Sequence, residues 1–161
     1  MCFSMTKARS KTKTMKISTK SIYALRALVD LAAHYNGRPV LLKDIARREK
    51  ISLRYLENIF TRLRKYGLLN SSKGRGGGFF LARDTADINL LEIVRFLEGD
   101  TAVSECVDEL SACTRAGICI ARGVWVNLNK IYTDYLESVT LNGLVKEYLE
   151  QAVASPAGAQ R

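Results

Sequence analysis

Apolar residues recur every three or four positions through the first part of the chain, a spacing that predicts amphipathic helices. The first helix is predicted over residues 18–35, where Asn36-Gly37-Arg38-Pro39 stops it. A second, shorter helix is predicted from about residue 42 to 48. After a tight break at 49–51, Ser52 is a good N-cap for a third helix that runs to about residue 66, before Gly67.

A glycine-rich hairpin is predicted directly after the third helix. Two short strands at residues 68–71 and 79–82 flank the tip at 73–78. Helix, short helix, tight break, helix and hairpin follow one another in a winged helix-turn-helix, whose last helix enters the major groove of DNA. The tip lacks the G-x-x-x-x-G-K-[ST] pattern of a nucleotide-binding loop and lies between two strands, so its glycines are expected to let the wing approach DNA closely.

The predicted third helix carries different chemistry on its two sides. The inward positions are apolar: Leu56, Ile59, Phe60 and Leu63. The other side is polar and mostly basic: Arg54, Asn58, Thr61, Arg62 and Lys65. Such a side is either a solvated surface or a set of donors for bases and phosphates, and the neighbouring wing cations favour DNA contact. The predicted DNA contacts are Ser52, Arg54, Tyr55, Asn58, Arg62, Lys73 and Arg75.

Three further helices are predicted in the second half of the chain. The first begins after Asn89, with Glu92 placed to complete a capping box, and ends at Gly99. A long helix is expected from about Cys119 to Val139, and a last one over 141–151. One apolar stripe follows the long helix: Trp125, Leu128, Ile131, Tyr132, Tyr135, Leu136 and Val139. A small wing domain cannot cover a stripe of about five turns, so a homodimer is predicted.

Charge is concentrated at the beginning of the chain. The 161 residues contain 25 Lys and Arg against 16 Asp and Glu, a net charge of +9. Five of the cations lie in the first sixteen residues, which contain no acid, and Met15 is a plausible alternative start. The expected organisation is a basic disordered tail (1–14), a winged helix-turn-helix DNA-binding domain (15–99), a cysteine loop (100–118), dimerisation helices (119–151) and a disordered tail (152–161).

The sequence also excludes several classes of protein. There is no apolar run of eighteen residues and no apolar signal region near the start, so a cytoplasmic protein with no membrane partner is expected. His34 has no catalytic motif around it, and the carboxylates are scattered as surface charges, so an enzyme is not expected. An RNA-binding protein is the alternative from another class, but no aromatic stacking platform supports it.

Three of the four cysteines, Cys106, Cys113 and Cys119, are spaced along the predicted loop. Thiols are normally reduced in the cytoplasm, so a disulfide framework is not expected. The chain lacks the CxxC pairs that zinc sites usually use. Three thiolates on a loop can instead hold an iron-sulfur cluster, either 2Fe-2S or 4Fe-4S, together with a fourth ligand of another kind. The alternative is three small, partly buried apolar side chains.

Eight segments together resemble the IscR/NsrR/RirA family of winged-helix regulators, which also includes the cysteine-metabolism repressor CymR. The resemblance covers roughly residues 15–150. The segments are Lys16-Ile17-Ser18 with Tyr23-Ala24-Leu25-Arg26-Ala27-Leu28, Leu42-Lys43-Asp44-Ile45-Ala46, Ile51-Ser52, Tyr55-Leu56-Glu57, Leu63-Arg64-Lys65-Tyr66-Gly67-Leu68, Arg75-Gly76-Gly77-Gly78-Phe79 and Leu141-Asn142-Gly143-Leu144.

The resemblance implies a homodimeric transcription regulator, typically a repressor, whose long helix crosses its partner and which binds palindromic promoter DNA. It also implies cluster-dependent control where the three cysteines are present. IscR-like members place a histidine three residues after the third cysteine, and here that residue is Arg122. NsrR-like members use an acid early in the first helix, and residues 19–24 contain none. The fourth ligand is left open between Glu105, Asp108, solvent and a small thiol.

Two modes of control follow for a regulator of this kind. In the first, an iron-sulfur cluster responds to iron, redox state or nitric oxide and sets the affinity for DNA. In the second, the fold is the same but no cluster binds, and thiol oxidation or a partner protein supplies the signal.

Overall fold

A computed structural model describes residues 17–74, 76–99, 102–108 and 110–154. The expected tail 1–14, Arg75 and most of the expected second tail lie outside these residues. The elements are α1 (Thr19–Ala33), α2 (Leu42–Glu49), α3 (Leu53–Tyr66), β1 (Leu69–Ser72), β2 (Gly78–Leu81), α4 (Leu90–Glu98), α5 (Glu105–Asp108), α6 (Ile120–Ser138) and α7 (Leu141–Ala154), with 3-10 turns at Thr85–Asp87 and Leu110–Ala112. The order is that of a winged helix-turn-helix followed by a long helix, which confirms the predicted fold class.

The main core lies between the first three helices, the wing and the last helix. Its fully buried large side chains include Leu28 and Leu31 of α1, Ile45 of α2 and Phe60 of α3. Helix α7 returns from the far end of the chain and packs beside α1, with Leu141 buried in the same core. Helix α7 therefore shares one core with α1, α2, α3 and the wing.

Helix ends follow the sequence signals in part. Gly67 ends α3 in the left-handed conformation with φ of 87°, as predicted. Ser52 occupies the N-cap position of α3, but its hydroxyl makes no capping hydrogen bond. Asn89 does cap α4, since its Oδ1 accepts from the Glu92 N–H at 2.9 Å. This is one half of the predicted capping box; on the other side, the Glu92 carboxylate accepts from Arg83.

The wing is an antiparallel pair in which β1 and β2 align Leu69 with Leu81 and Ser72 with Gly78. Val40, from the segment before α2, adds a bridge to Phe79 through two hydrogen bonds of 2.9 Å. A Cβ on Gly78 would lie 2.4 Å from the Val40 carbonyl oxygen, so this glycine is required by packing inside the protein. Packing against Val40 is therefore enough to explain Gly78, without the predicted close approach of the wing to DNA.

The long helix α6 is only partly covered by its own chain. Leu136 is buried, and Tyr132 packs with it against Leu91 and Val94 of α4, which forms a second small apolar cluster. The remaining members of the predicted stripe near the middle of α6 face away from this cluster and stay exposed. None of the described helices combines the length with the apolar composition of a membrane span.

Candidate DNA-binding surface and cysteine loop

The two sides of α3 separate as the sequence predicts. Leu56, Ile59, Phe60 and Leu63 are at most 1% exposed. Arg54, Asn58, Thr61, Arg62 and Lys65 are all exposed. The apolar side anchors the helix in the core, while the other side presents guanidinium, amide and ammonium donors to solvent. This is the arrangement that reading of base edges in a major groove requires.

The first turn of α3 is braced by α1. Within α3 itself, the Ser52 carbonyl accepts from the N–H groups of Tyr55 and Leu56 at 3.1 and 3.0 Å and so closes the first turn. The Tyr55 ring meets the Tyr23 ring edge to face, with centroids 5.9 Å apart, yet the Tyr55 residue remains 39% exposed. The ring contact thus links the start of α3 to α1, while part of the Tyr55 side chain stays open to solvent.

The last turns of α3 are held by α4 and the wing. Tyr66 stacks on Phe96, with ring centroids 4.2 Å apart, and the Arg62 guanidinium lies 5.9 Å from the centroid of the same ring. Arg64 donates to the Ser71 hydroxyl at 3.0 Å. Arg62 therefore has a cation-π role inside the protein in addition to its predicted contact with DNA.

The wing presents one predicted DNA contact in the described residues. Lys73 is exposed at the end of β1, and Arg75 lies outside the described part of the chain. Gly74 and Gly76 on either side adopt positive φ angles of 94° and 83°, with no atom within 4 Å of where a Cβ would stand. Unlike Gly78, these two glycines border open space, as a tip that approaches DNA needs.

A buried ion pair joins α2 to α1. The Asp30 side chain is fully buried and accepts both arms of the Arg48 guanidinium, at 2.8 and 2.6 Å. The His34 Nδ1 lies 3.3 Å from the same carboxylate. The Asp30 hydrogen bond raises the pKa of Arg48 against the opposing effect of burial. Sequence reasoning missed this pair, although an acid inside the buried run Leu28-Val29-Asp30-Leu31 is a signal for it.

The cysteine loop contains more regular structure than predicted, with one helical turn, α5, and a 3-10 turn after it. Cys106 is half-buried within α5, Cys113 is exposed, and Cys119 is the exposed N-cap residue of α6. Two bonds tie the loop to α6: Arg122 Nε donates to the Cys106 carbonyl at 2.9 Å, and the Val103 N–H donates to Asn129 Oδ1 at 3.2 Å. The loop therefore rests on the long helix.

The cysteine loop has the right kind of donor atoms for an iron-sulfur cluster. Three reduced thiols on one loop are the ligands that such clusters take. Within the described residues, no three Cys, His, Asp or Glu side chains are close enough to share one metal ion. Arg122, three residues after Cys119, is engaged with the loop backbone through the Cys106 carbonyl. Glu105 and Asp108 lie in α5, and their side chains are outside the described structure.

Helix α6 presents an apolar surface that its own chain leaves open. Trp125, Leu128, Ile131 and Tyr135 recur at spacings of three and four residues and are 42%, 38%, 66% and 64% exposed. Ile120 and Val124 extend the surface toward Cys119, at 94% and 59% exposure. We call these six residues the α6 face. Contiguous exposed apolar area of this kind marks a protein interface.

The helix-turn-helix, its basic outer side and the adjoining wing define a DNA-binding transcription regulator. Residues 17–147 match the family model described as "Rrf2: Iron-dependent Transcriptional regulator". The chain belongs to the Rrf2 family, whose members bind DNA and typically act as dimers. The matched relatives are regulators and not enzymes.

Individual relatives support the same assignment. The HTH-type transcriptional regulator IscR of Photorhabdus laumondii is 36% identical over 146 residues, which is 91% of this chain and 87% of the relative. The structure of CymR, the global cysteine regulator of B. subtilis, has a TM-score of 0.72 at 32% identity and covers 83% of this chain and 98% of that one. The oxidized form of Staphylococcus aureus CymR has a TM-score of 0.64 at 30% identity, covering 81% and 96%.

Proposed function

We propose that this regulator represses or activates promoters as a homodimer and that an iron-sulfur cluster on its cysteine loop sets its affinity for DNA. The observation that carries the proposal is the position of the loop. Cys119 is the N-cap residue of α6, and α6 presents the open apolar face. A change at the loop therefore acts directly on the helix that we assign to the dimer interface.

The DNA-facing surface in this proposal consists of α3 and the wing. Arg54, Asn58 and Arg62 would read bases or bind phosphates in the major groove, and Tyr55 and Lys73 would bind the backbone. The exposure of these side chains supports the assignment. Ser52 contributes at the start of α3, and Arg75 at the wing tip. In a dimer, two such surfaces meet half-sites about one helical turn apart, so the spacing of the two α3 helices governs affinity.

The cluster would be held by Cys106, Cys113 and Cys119. It would supply a redox-active and oxygen-sensitive iron centre. The thiols of this chain must come together for that, because the described loop does not gather three ligands. Arg122 holds the loop at the Cys106 carbonyl and is not a metal ligand, so the fourth position is left to solvent, a small thiol or an acid of the loop. The description of the family as iron-dependent supports this reading.

A second candidate is control by thiol oxidation without a cluster. Cys113 and Cys119 are exposed and carry free thiols, which is the state that oxidants attack. The structural similarity to the oxidized form of S. aureus CymR favours this reading. DNA binding and dimerisation are the same in both candidates.

The absorption spectrum of protein purified without oxygen separates the two candidates. We expect visible absorption with stoichiometric iron and sulfide in the wild type, and its loss in Cys113→Ser and in Cys119→Ser. Cys2→Ser is the matched control, because Cys2 lies outside the loop, and it should keep the absorption. A wild-type protein that stays colourless after reconstitution with iron and sulfide would contradict cluster binding and leave the thiol candidate.

A further inference from the structure

Helix α2 divides its charged residues between two sides. Arg48 turns toward α1 and binds the buried Asp30. Glu49 also turns toward α1, since its carboxylate lies 2.8 Å from the Arg26 guanidinium. The outer side is exposed and carries three cations at spacings of four and three residues: Lys43, Arg47 and Lys50. Residues with this spacing share one side of a helix. We call these three residues the α2 cations.

Little negative charge opposes the α2 cations. Asp44 lies 3.2 Å from Arg47, whose side chain is 77% exposed, and an exposed pair of this kind holds its partners weakly. Asp44 also has a role inside the protein, because it stands in the first turn of α2, where the helix dipole favours a carboxylate. Among the described residues, neither Lys43 nor Lys50 forms an ion pair. The outer side of α2 therefore presents net positive charge to solvent.

Lys50 adopts a backbone conformation that normally takes glycine. It ends α2 in the left-handed region, with φ of 54°, and its N–H donates to the Ala46 carbonyl. Among the described residues other than glycine, Lys50 alone has a positive φ. The corresponding position at the end of α3 is Gly67, which adopts this conformation without steric cost. A lysine carries a steric cost there, so we expect its side chain to serve a function.

The two ends of α2 adjoin the two parts of the proposed DNA-facing surface. At the N-terminal end, Val40 is joined to Phe79 of the wing through two hydrogen bonds of 2.9 Å. At the C-terminal end, only Ile51 separates Lys50 from Ser52, the N-cap residue of α3. The α2 cations extend over about 10 Å of helix axis, while each strand of duplex DNA carries one phosphate per about 3.4 Å. They can therefore meet the phosphates that border the groove occupied by α3.

We infer that the α2 cations bind the phosphate backbone of DNA beside the half-site that α3 and the wing occupy. The inference rests on the proposed function only in that α3 and the wing face DNA. Phosphate contacts position a protein on the duplex and carry no sequence information, so the α2 cations add affinity equally to every sequence. They also add to the salt dependence of binding, by about 0.9 in the slope of log affinity against log salt for each phosphate neutralised.

The test compares the wild type with a full-length triple variant in which all three α2 cations are changed to Gln. Binding to a random-sequence duplex is measured over a series of salt concentrations. If each cation contacts one phosphate, the slope falls by up to about 2.7 per protomer. The matched control removes the same charge from exposed positions on the cysteine loop, α6 and α7: Arg115→Gln, Lys130→Gln and Lys146→Gln. This control should keep the wild-type slope, because its three positions lie outside α2, α3 and the wing.

A single variant separates loss of DNA binding from loss of folding. Lys50→Gly removes one α2 cation and also relieves the left-handed backbone strain, so its midpoint of unfolding in urea should equal or exceed that of the wild type. Its salt slope should nevertheless fall by about 0.9 per protomer. Weaker DNA binding in a variant at least as stable as the wild type cannot result from unfolding.

The slope of the triple variant decides the inference. A shallower slope, with equal loss of affinity on random duplex and on duplex selected from a random pool, supports it. A slope equal to that of the wild type overturns it, and so does an equal fall in the control, which would show that net charge alone matters. A wild-type slope with lost binding to poly-L-glutamate also overturns it and assigns the α2 cations to an acidic protein surface.

This outcome is separate from that of the proposed function. A wild type that does not discriminate the selected duplex, or whose affinity does not respond to a cluster, would contradict the proposed function. The α2 cations would still change the slope in that protein, because their contacts need neither base reading nor a cluster.

Discussion

Replacing Leu128 and Ile131 with Glu should convert the dimer into monomers, because both side chains lie on the open α6 face. Complete burial of such a side chain contributes about 1.5–3 kcal/mol to the free energy of association. Ile131 is 66% exposed and Leu128 is 38% exposed, so their remaining burial in a dimer is worth about 1–2 and 0.6–1 kcal/mol respectively. In a two-fold dimer each residue counts twice, which gives about 3–6 kcal/mol for the pair.

That free energy corresponds to an increase in the dimer dissociation constant of about a hundredfold to ten-thousandfold. Sedimentation velocity at micromolar protein is the direct assay. Leu149→Glu is the control, since Leu149 is 46% exposed on α7, away from the α6 face, and this variant should remain dimeric. A double variant that still sediments as a dimer, or a wild type that sediments as a monomer, would refute the assignment of α6 as the interface.

Three other predictions address the DNA-binding domain. Arg54→Ala should cost about 1–3 kcal/mol on a selected duplex and much less on random duplex if Arg54 reads a base, whereas equal losses would assign it to phosphate. Arg48→Met removes both guanidinium hydrogen bonds from the buried Asp30 carboxylate, which then has only His34 beside it, and should lower the free energy of unfolding by about 3–5 kcal/mol in urea. Arg47→Met, which breaks an exposed pair, should cost under about 1 kcal/mol. Burial raises the pKa of Glu98, but its hydrogen bonds outweigh burial and bring this pKa below the usual range. The stability it contributes is thus present above the usual carboxyl pKa of about 4.3 and is lost as the pH falls through the lowered value, so Glu98→Gln should flatten the acid side of the stability profile.

The periodicity of the sequence was sufficient to predict the helices that bury one of their sides. Leu56, Ile59, Phe60 and Leu63 recur with the helical period, and that spacing alone separated the core side of α3 from its basic side. Gly67 ended the same helix for a local reason, since glycine adopts the left-handed conformation without steric cost. Such signals act within a few residues and can be read from one chain.

The contacts that depend on distant parts of the chain could not be read in the same way. Glu92 fits the capping-box pattern, yet its carboxylate accepts from Arg83, which lies nine residues earlier on the other side of the 3-10 turn. The apolar residues of the predicted α6 stripe all recur with the helical period. Helix α4 nevertheless covers Leu136 and leaves Ile131 exposed to solvent. The sequence shows which positions are apolar, and only the fold shows which of them the chain itself covers.

The DNA affinity of one anaerobic preparation should be measured before and after its cluster is removed. On a duplex selected from a random pool, we expect a change of about 5- to 150-fold in the wild type, the usual range for coupling between two sites. Cys113→Ser, carried through the same treatment, should show no change. Equal affinity of the wild type with and without the cluster would contradict the claim that the loop controls the spacing of the two α3 helices.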